Sequence, residues 1–272
     1  METLIHVFEI DFMQRALITG LLVGVMCSFL GVYIVLRKIV FVGASLAQIS
    51  SSGFALGILF GVNPFIAALV LTLIGVWIFA MNLQTKKIPQ DSFLALGYII
   101  ASAGSILLLS KHPRGDADLM LLLYGNILTI TPDHIYILLT ALILIGGVHF
   151  LFYKEFMFIA FDPEMAETLG YRPQVWNIVF YVTVGILISL AIESAGILLV
   201  FGLLVIPPIV AIQLSDNIRH IFAIAVLTSV IAIPAGLFVS FTQDLPSGPT
   251  IIAMTVIFLM IGYIVSKARL RA

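Results

Sequence analysis

Charge is scarce in this sequence. Its 13 basic and 14 acidic side chains are only 10% of 272 residues, against roughly 25% in ordinary soluble domains. With 61% hydrophobic residues and a mean hydropathy of +1.19, the chain lacks the polar surface a water-facing domain needs. It reads as an all-α polytopic membrane protein, because a chain in lipid must satisfy its backbone internally. A formal net charge of −1 gives no hint of a nucleic-acid partner. Cysteine is nearly missing: Cys27 alone, inside an apolar run, excludes an internal disulfide framework. Soluble-enzyme motifs are missing too. There is no G-x-x-x-x-G-K-[ST] phosphate loop, no H-E-x-x-H, no C-x-x-C and no G-x-S-x-G, so no catalytic residue is expected. If ATP drives the protein, another chain must bind ATP and Mg. Residues 1–11 hold two Glu and one Asp and no basic segment, so the first membrane helix is expected to act as an uncleaved insertion signal.

Apolar runs are what the chain has in abundance. Residues 16–36, 64–83, 93–110, 135–152, 175–192, 195–214, 221–241 and 250–265 are each taken as a membrane span. Residues 44–62, diluted by Gln48 and Ser50, Ser51 and Ser52, make a ninth; 119–130 is too short to cross and is expected to be re-entrant or interfacial. Charge supports the count. Nine spans with the N-terminus outside and the C-terminus in the cytoplasm put Arg37, Lys38, Lys86, Lys87, Lys154, Arg172, Arg219, Lys267, Arg269 and Arg271 inside. Only Arg15, Lys111 and Arg114 then fall outside, as the positive-inside bias requires. The chain is expected to form one multi-pass membrane domain over 1–272.

Small and polar residues inside the spans suggest where helices meet. Gly20, Gly24, Cys27 and Gly31 share one helix face and are expected to admit a close neighbour, with Gly146-Gly147, Gly196 and Gly202 as further packing contacts. Pro207-Pro208 and Pro234 should kink their helices. Ionisable groups at membrane depth cost about 2.5–3.5 kcal/mol on insertion scales, so each needs a reason. Candidate pathway residues are Ala44, Gln48, Ser51 and Ser52, whose rival reading is an interhelical hydrogen-bond network, together with Glu193 and Asp244. Glu193 neighbours Ser194 and Gly196, where a helix could break. Asp244 reads first as a helix-entry residue of the loop Asp244-Leu-Pro-Ser-Gly-Pro249, with Ser247 as cap, and His149 as an interfacial residue. His112, Arg114, Asp116, Asp118, Asp133 and His134 form an outer polar group without metal-ligand spacing, read as a solvated loop.

The polar island 154–173 stands apart. It holds Lys154, Glu155, Asp162, Glu164, Glu167 and Arg172 between two membrane-length runs, so it must lie in water, and it reads as a docking surface. Asp162 can cap a short helix, Glu164 and Glu167 suit its positive end, and Gly170 can take a left-handed stop. Phe161-Asp162-Pro163-Glu164-x-Ala166-x-x-x-Gly170 resembles the cytoplasmic signature of the zinc and manganese type of metal ABC transporter permeases. Residues 31–57, Tyr124-Gly125-Asn126, Gly196-Ile-Leu-Leu-Val200 with Leu204-Val-Ile-Pro207, and Asp244-Leu-Pro-Ser-Gly-Pro249 resemble further segments of that family in the same order.

The resemblance implies the membrane subunit of an ATP-driven importer. It would work as a homodimer with two ATPase subunits, fed by an extracytoplasmic solute-binding protein, with Asp162, Glu164, Ala166, Glu167 and Gly170 on a coupling helix. It also implies a divalent transition metal, zinc or manganese, as cargo. One segment departs from the pattern: where the family commonly has an Asp and a His four residues apart, this chain has Ala44 and Gln48. Alanine has no donor and a neutral amide cannot offset a divalent charge, so a metal chelate or small organic solute is the alternative cargo. An ion-coupled secondary carrier using Glu193 or Asp244 is the rival mechanism.

Overall fold

The computed structural model describes residues 10–80, 90–125 and 130–269. Lys86, Lys87, Asn126, Arg271 and the N-terminal segment 1–9 lie outside them. Eleven helices and no strand are found among the described residues: α1 Asp11–Leu36, α2 Val40–Phe60, α3 Pro64–Ala80, α4 Gln90–Leu109, α5 Gly115–Tyr124, α6 Pro132–Leu151, α7 Tyr153–Phe161, α8 Pro163–Thr168, α9 Pro173–Leu214, α10 Ile218–Gln243 and α11 Ser247–Arg269. Seven of these are long and apolar enough to cross a membrane, and α3 is a shorter apolar helix of 17 residues.

Boundaries follow local chemistry. Gly61 ends α2 at φ 65, with Val62 N–H donating to Gly57 O and Gly61 N–H to Ile58 O. Asn63 Oδ1 then accepts from Phe65 and Ile66 N–H, and Pro64 occupies the first turn of α3, where its missing N–H costs nothing. Three residues therefore reverse the chain. At 42 residues, α9 would measure about 63 Å, twice the hydrocarbon thickness. It is interrupted at Gly196, whose φ 78 and ψ 162 are not helical, so residues 173–195 and 197–214 are two helices end to end.

The described residues gather into two compact units, each assembled from separated stretches. One takes 36–80, 90–122 and 143–193. Within it, Ser45 and Ser52 of α2 meet Leu94 and Ala101 of α4 in ascending order, so these helices are parallel. Gly57 and Gly53 of α2 meet Pro64 and Ala68 of α3, which is antiparallel. Arg37 and Ser50 meet Asn177 and Ser189, so the first half of α9 runs with α2. Arg37, Lys38, Lys154 and Arg172 thus share one end of this unit, and the α2–α3 turn and Lys111 the other.

The second unit takes 10–35, 123–125, 130–142 and 194–269. Its helices approach through glycine. A Cβ on Gly24 would lie 2.3 Å from Ile233 Cδ1, and one on Gly31 2.1 Å from Leu204 O. The α1 stripe is a packing face, as lipid-solvated helices require, and Gly202 likewise packs on Ile252. Gly146 and Gly147 do not: nothing lies within 4 Å of a Cβ at either, so the expectation of packing there is corrected. The pair was read by residue type alone, which does not say where a helix face points.

Candidate functional site

The island folds into two short helices, α7 and α8. Asp162 Oδ1 accepts from Met165 N–H at 2.9 Å and Pro163 takes the first turn. The helix closes with Tyr171 N–H on Ala166 O and Gly170 N–H on Glu167 O, Gly170 sitting at φ 88. This is the left-handed stop expected of Gly170. One face is anchored: Phe156 and Ala166 are fully buried, and Phe158 stacks on Tyr171 at 6.1 Å. The other face is open. Glu164 and Glu167 are exposed, and so are Phe161 (65%), Met165 (52%) and Leu169 (56%). Three large apolar side chains, Phe161 at the end of α7, Met165 in α8 and Leu169 at its C-terminal cap, in a segment that composition places in water, are a surface made to be covered. Sequence reasoning named the acids there and Phe161 as the first residue of the signature, and missed Met165 and Leu169, whose signal was hydrophobicity inside an otherwise polar segment.

The polar run of α2 divides into two faces. Ser45 Oγ donates to Leu94 O and Ser52 Oγ to Ala101 O, both at 2.5 Å, and Ser50 meets Ser189 at 3.4 Å. For Ser52 the interhelical network, the rival reading, is what the structure contains. Ala44 and Ser51, also seven residues apart, lie about 100° round the helix from Ser45 and Ser52, with Gln48 between the two pairs. Ala44 and Gln48 are each 7% exposed and Ser51 2%. Neither the Gln48 amide nor the Ser51 hydroxyl is among the fully enclosed side-chain groups left without a partner.

Glu193 is half-buried one turn before the break at Gly196. The break is shaped by a close backbone crossing. A Cβ on Gly196 would lie 2.3 Å from Gly125 N, and one on Gly125 2.3 Å from the Ala195 carbonyl carbon. Gly125 (φ 71) and Gly196 therefore need to be glycine for both backbone angle and space. Asp244 does not enter α11, correcting that expectation. It caps the exit of α10 in the left-handed region (φ 52, ψ 44), its N–H on Ser240 O, with Ser240 Oγ donating to Leu245 O. The six-residue loop carries both an exit and an entry signal, and the exit claims Asp244. Asp244 is exposed.

His149 is not interfacial either. It is fully buried, stacked on Phe156 at 4.3 Å and 9°, with Nδ1 3.0 Å from Ile145 O. His112 Nδ1 lies 3.0 Å from Asp118 Oδ2, and no group of three or more metal-ligating side chains exists among the described residues. α5 begins at Gly115, ahead of the apolar segment 119–130, because Asp116 and Asp118 suit its first turn.

Residues 9–266 match the model of the ABC 3 transport family. The chain belongs to this family. Its members are permease subunits of transporters, and this chain is accordingly a multi-pass component of the cell membrane. It is 29% identical over 269 residues to an uncharacterized membrane protein of Synechocystis sp., covering 98% of this chain and 94% of that one. It is 25% identical to the manganese transport system membrane protein MntC of Halalkalibacterium halodurans, covering 89% of this chain and 83% of the relative. Its fold matches a chain of PsaBC from Streptococcus pneumoniae with a TM-score of 0.85 at 23% identity, over 96% of this chain and 95% of the other.

Proposed function

We propose that the chain is the membrane-spanning subunit of an ATP-driven metal importer, working as a homodimer with two ATPase subunits that bind ATP and Mg. The observation that carries this is the island: a capped helix in water, between membrane-length helices, with Phe161, Met165 and Leu169 uncovered. ATP-driven closure of the ATPases would move the island and switch the pathway between outward and inward access. Counting α3, and the two halves of α9 separately, gives the nine crossings of this reading, with the N-terminus placed outside. The gathering of Arg37, Lys38, Lys154 and Arg172 at one end of their unit supports putting that end in the cytoplasm. A solute-binding protein would meet the opposite face.

The cargo is a divalent transition metal, zinc or manganese, a reading supported by the similarity to a manganese transport protein. The neutral face Ala44, Gln48 and Ser51 is its proposed contact in the pathway, with Glu193 near the break in α9. That neutrality favours a second reading, passage of a metal chelate or small organic solute, because oxygen donors without charge suit a cation whose charge is already offset. Exchanging Met165→Asp and Leu169→Asp tests the docking role. Loss of ATPase co-purification, with the permease still folded, is expected; retention of a stable, active complex would refute it. Purified chain alone should move nothing in liposomes under an ion gradient, whereas the secondary-carrier reading requires that it does. Uptake assays with radioactive zinc, manganese and their chelates separate the cargoes.

A further inference from the structure

We propose that Arg37 is a positioning residue that clamps the island to the start of α2, so that island movement reaches the Ala44, Gln48 and Ser51 face without slack; this rests on the island being the ATPase-coupling segment. Arg37 Nη1 donates to Asn177 Oδ1 at 2.9 Å and Nη2 to Phe156 O at 3.4 Å, while the guanidinium carbon lies 4.3 Å from the centroid of the Phe180 ring. One side chain therefore grips α7, through its backbone, and α9, through an amide and a ring. A planar fork can hold two acceptors in fixed directions while its face stacks on an aromatic ring; an ammonium cannot.

The island end of this clamp is itself immobilised. Phe156 is fully buried in α7, with its ring stacked on His149 and edge-on to Trp176 at 5.4 Å, while its carbonyl receives Arg37. The pathway end is short. Only Lys38 and Ile39 separate Arg37 from α2, and Lys38 is held at φ 57, a left-handed angle that leaves a tight turn rather than a linker. Gln48 stands eight residues into α2, about 12 Å along a rigid rod. Displacing α7 thus displaces the base of the helix that carries the candidate pathway face.

The test uses the permease assembled with its ATPase in lipid nanodiscs, with spin labels at exposed Lys154 on α7 and Phe41 at the start of α2. The native Cys27 is fully buried. The unaltered protein should give one narrow distance, the same in nucleotide-free and vanadate-trapped states. Arg37→Gln should broaden that distance and abolish the stimulation of ATP hydrolysis by the manganese-loaded binding protein, while leaving ATPase co-purification and basal hydrolysis in place. Arg37→Lys, which keeps the charge and loses the fork, should fail in the same way. A narrow distance or full stimulation in Arg37→Gln overturns the clamp, and full stimulation in Arg37→Lys shows that charge suffices without it. Loss of ATPase binding in Arg37→Gln also overturns it, by making Arg37 part of the docking structure. The underlying docking reading fails differently, when the ATPase does not bind the unaltered permease.

Discussion

The island and the polar run of α2 contain similar residue types and use them in opposite ways. In the island, Asp162 and Gly170 serve only their own short helix, and Glu164 and Glu167 point into water. In α2, Ser45 and Ser52 are buried and donate to the backbone of another helix, and Gln48 is buried on the face beside them. The difference lies in the solvent. Water satisfies whatever an island residue leaves over, so its polarity is free and its exposed apolar side chains are the informative part. In lipid the alternatives are a protein partner or a cargo, so the informative residue is the polar one without a partner.

Gln48→Leu is the strongest way to break that contrast. If the amide is kept for the cargo, the variant should lose uptake entirely while melting no earlier than the unaltered protein. A thermal melt of the detergent-solubilised complex beside an uptake assay reads both. A clear fall in melting temperature with uptake preserved would move Gln48 to the same structural class as Ser45.

Gly170→Ala probes the island side with a smaller effect. Nothing lies within 4 Å of a Cβ there, so the cost is purely that of a side chain at φ 88, about 1–2 kcal/mol. On a six-residue helix that should fray the C-terminal stop and weaken ATPase binding about tenfold, which titration of the two subunits measures.

The distribution of helices was legible in the sequence because lipid permits little else, and the reversal between α2 and α3 was written locally in Gly61, Asn63 and Pro64. The island's cap and stop were legible for the same reason: Asp162 and Gly170 act within their own helix. What could not be read were contacts between distant segments. Arg37 reaches Phe156 and Asn177 across 119 and 140 positions, and His149 is buried by rings from α7 and α9. Nothing near Arg37 or His149 in the chain reports those partners. Ser52 was grouped with Gln48 by composition, and only the position of Ala101 separates them.

Ser45→Ala and Ser52→Ala sharpen the comparison from within α2. Each removes one interhelical hydrogen bond, and such bonds in membrane proteins average about 0.6 kcal/mol. Uptake should persist, with a modest fall in melting temperature for each variant and a roughly additive one for the pair, since the two bonds lie two turns apart.

Asp244 gives the smallest expected effect and the clearest separation of mechanisms. It is exposed, it ends α10 at φ 52, and its N–H satisfies the Ser240 carbonyl. Everything it does structurally, glycine does with less conformational strain, so Asp244→Gly should leave stability unchanged or raise it slightly, by a few tenths of a kcal/mol. Uptake driven by ATP should be unaffected. A carrier that moves protons through this carboxylate would instead lose transport in the same variant. The single substitution therefore asks whether the acid of this loop is chemistry or a cap, and its geometry is that of a cap.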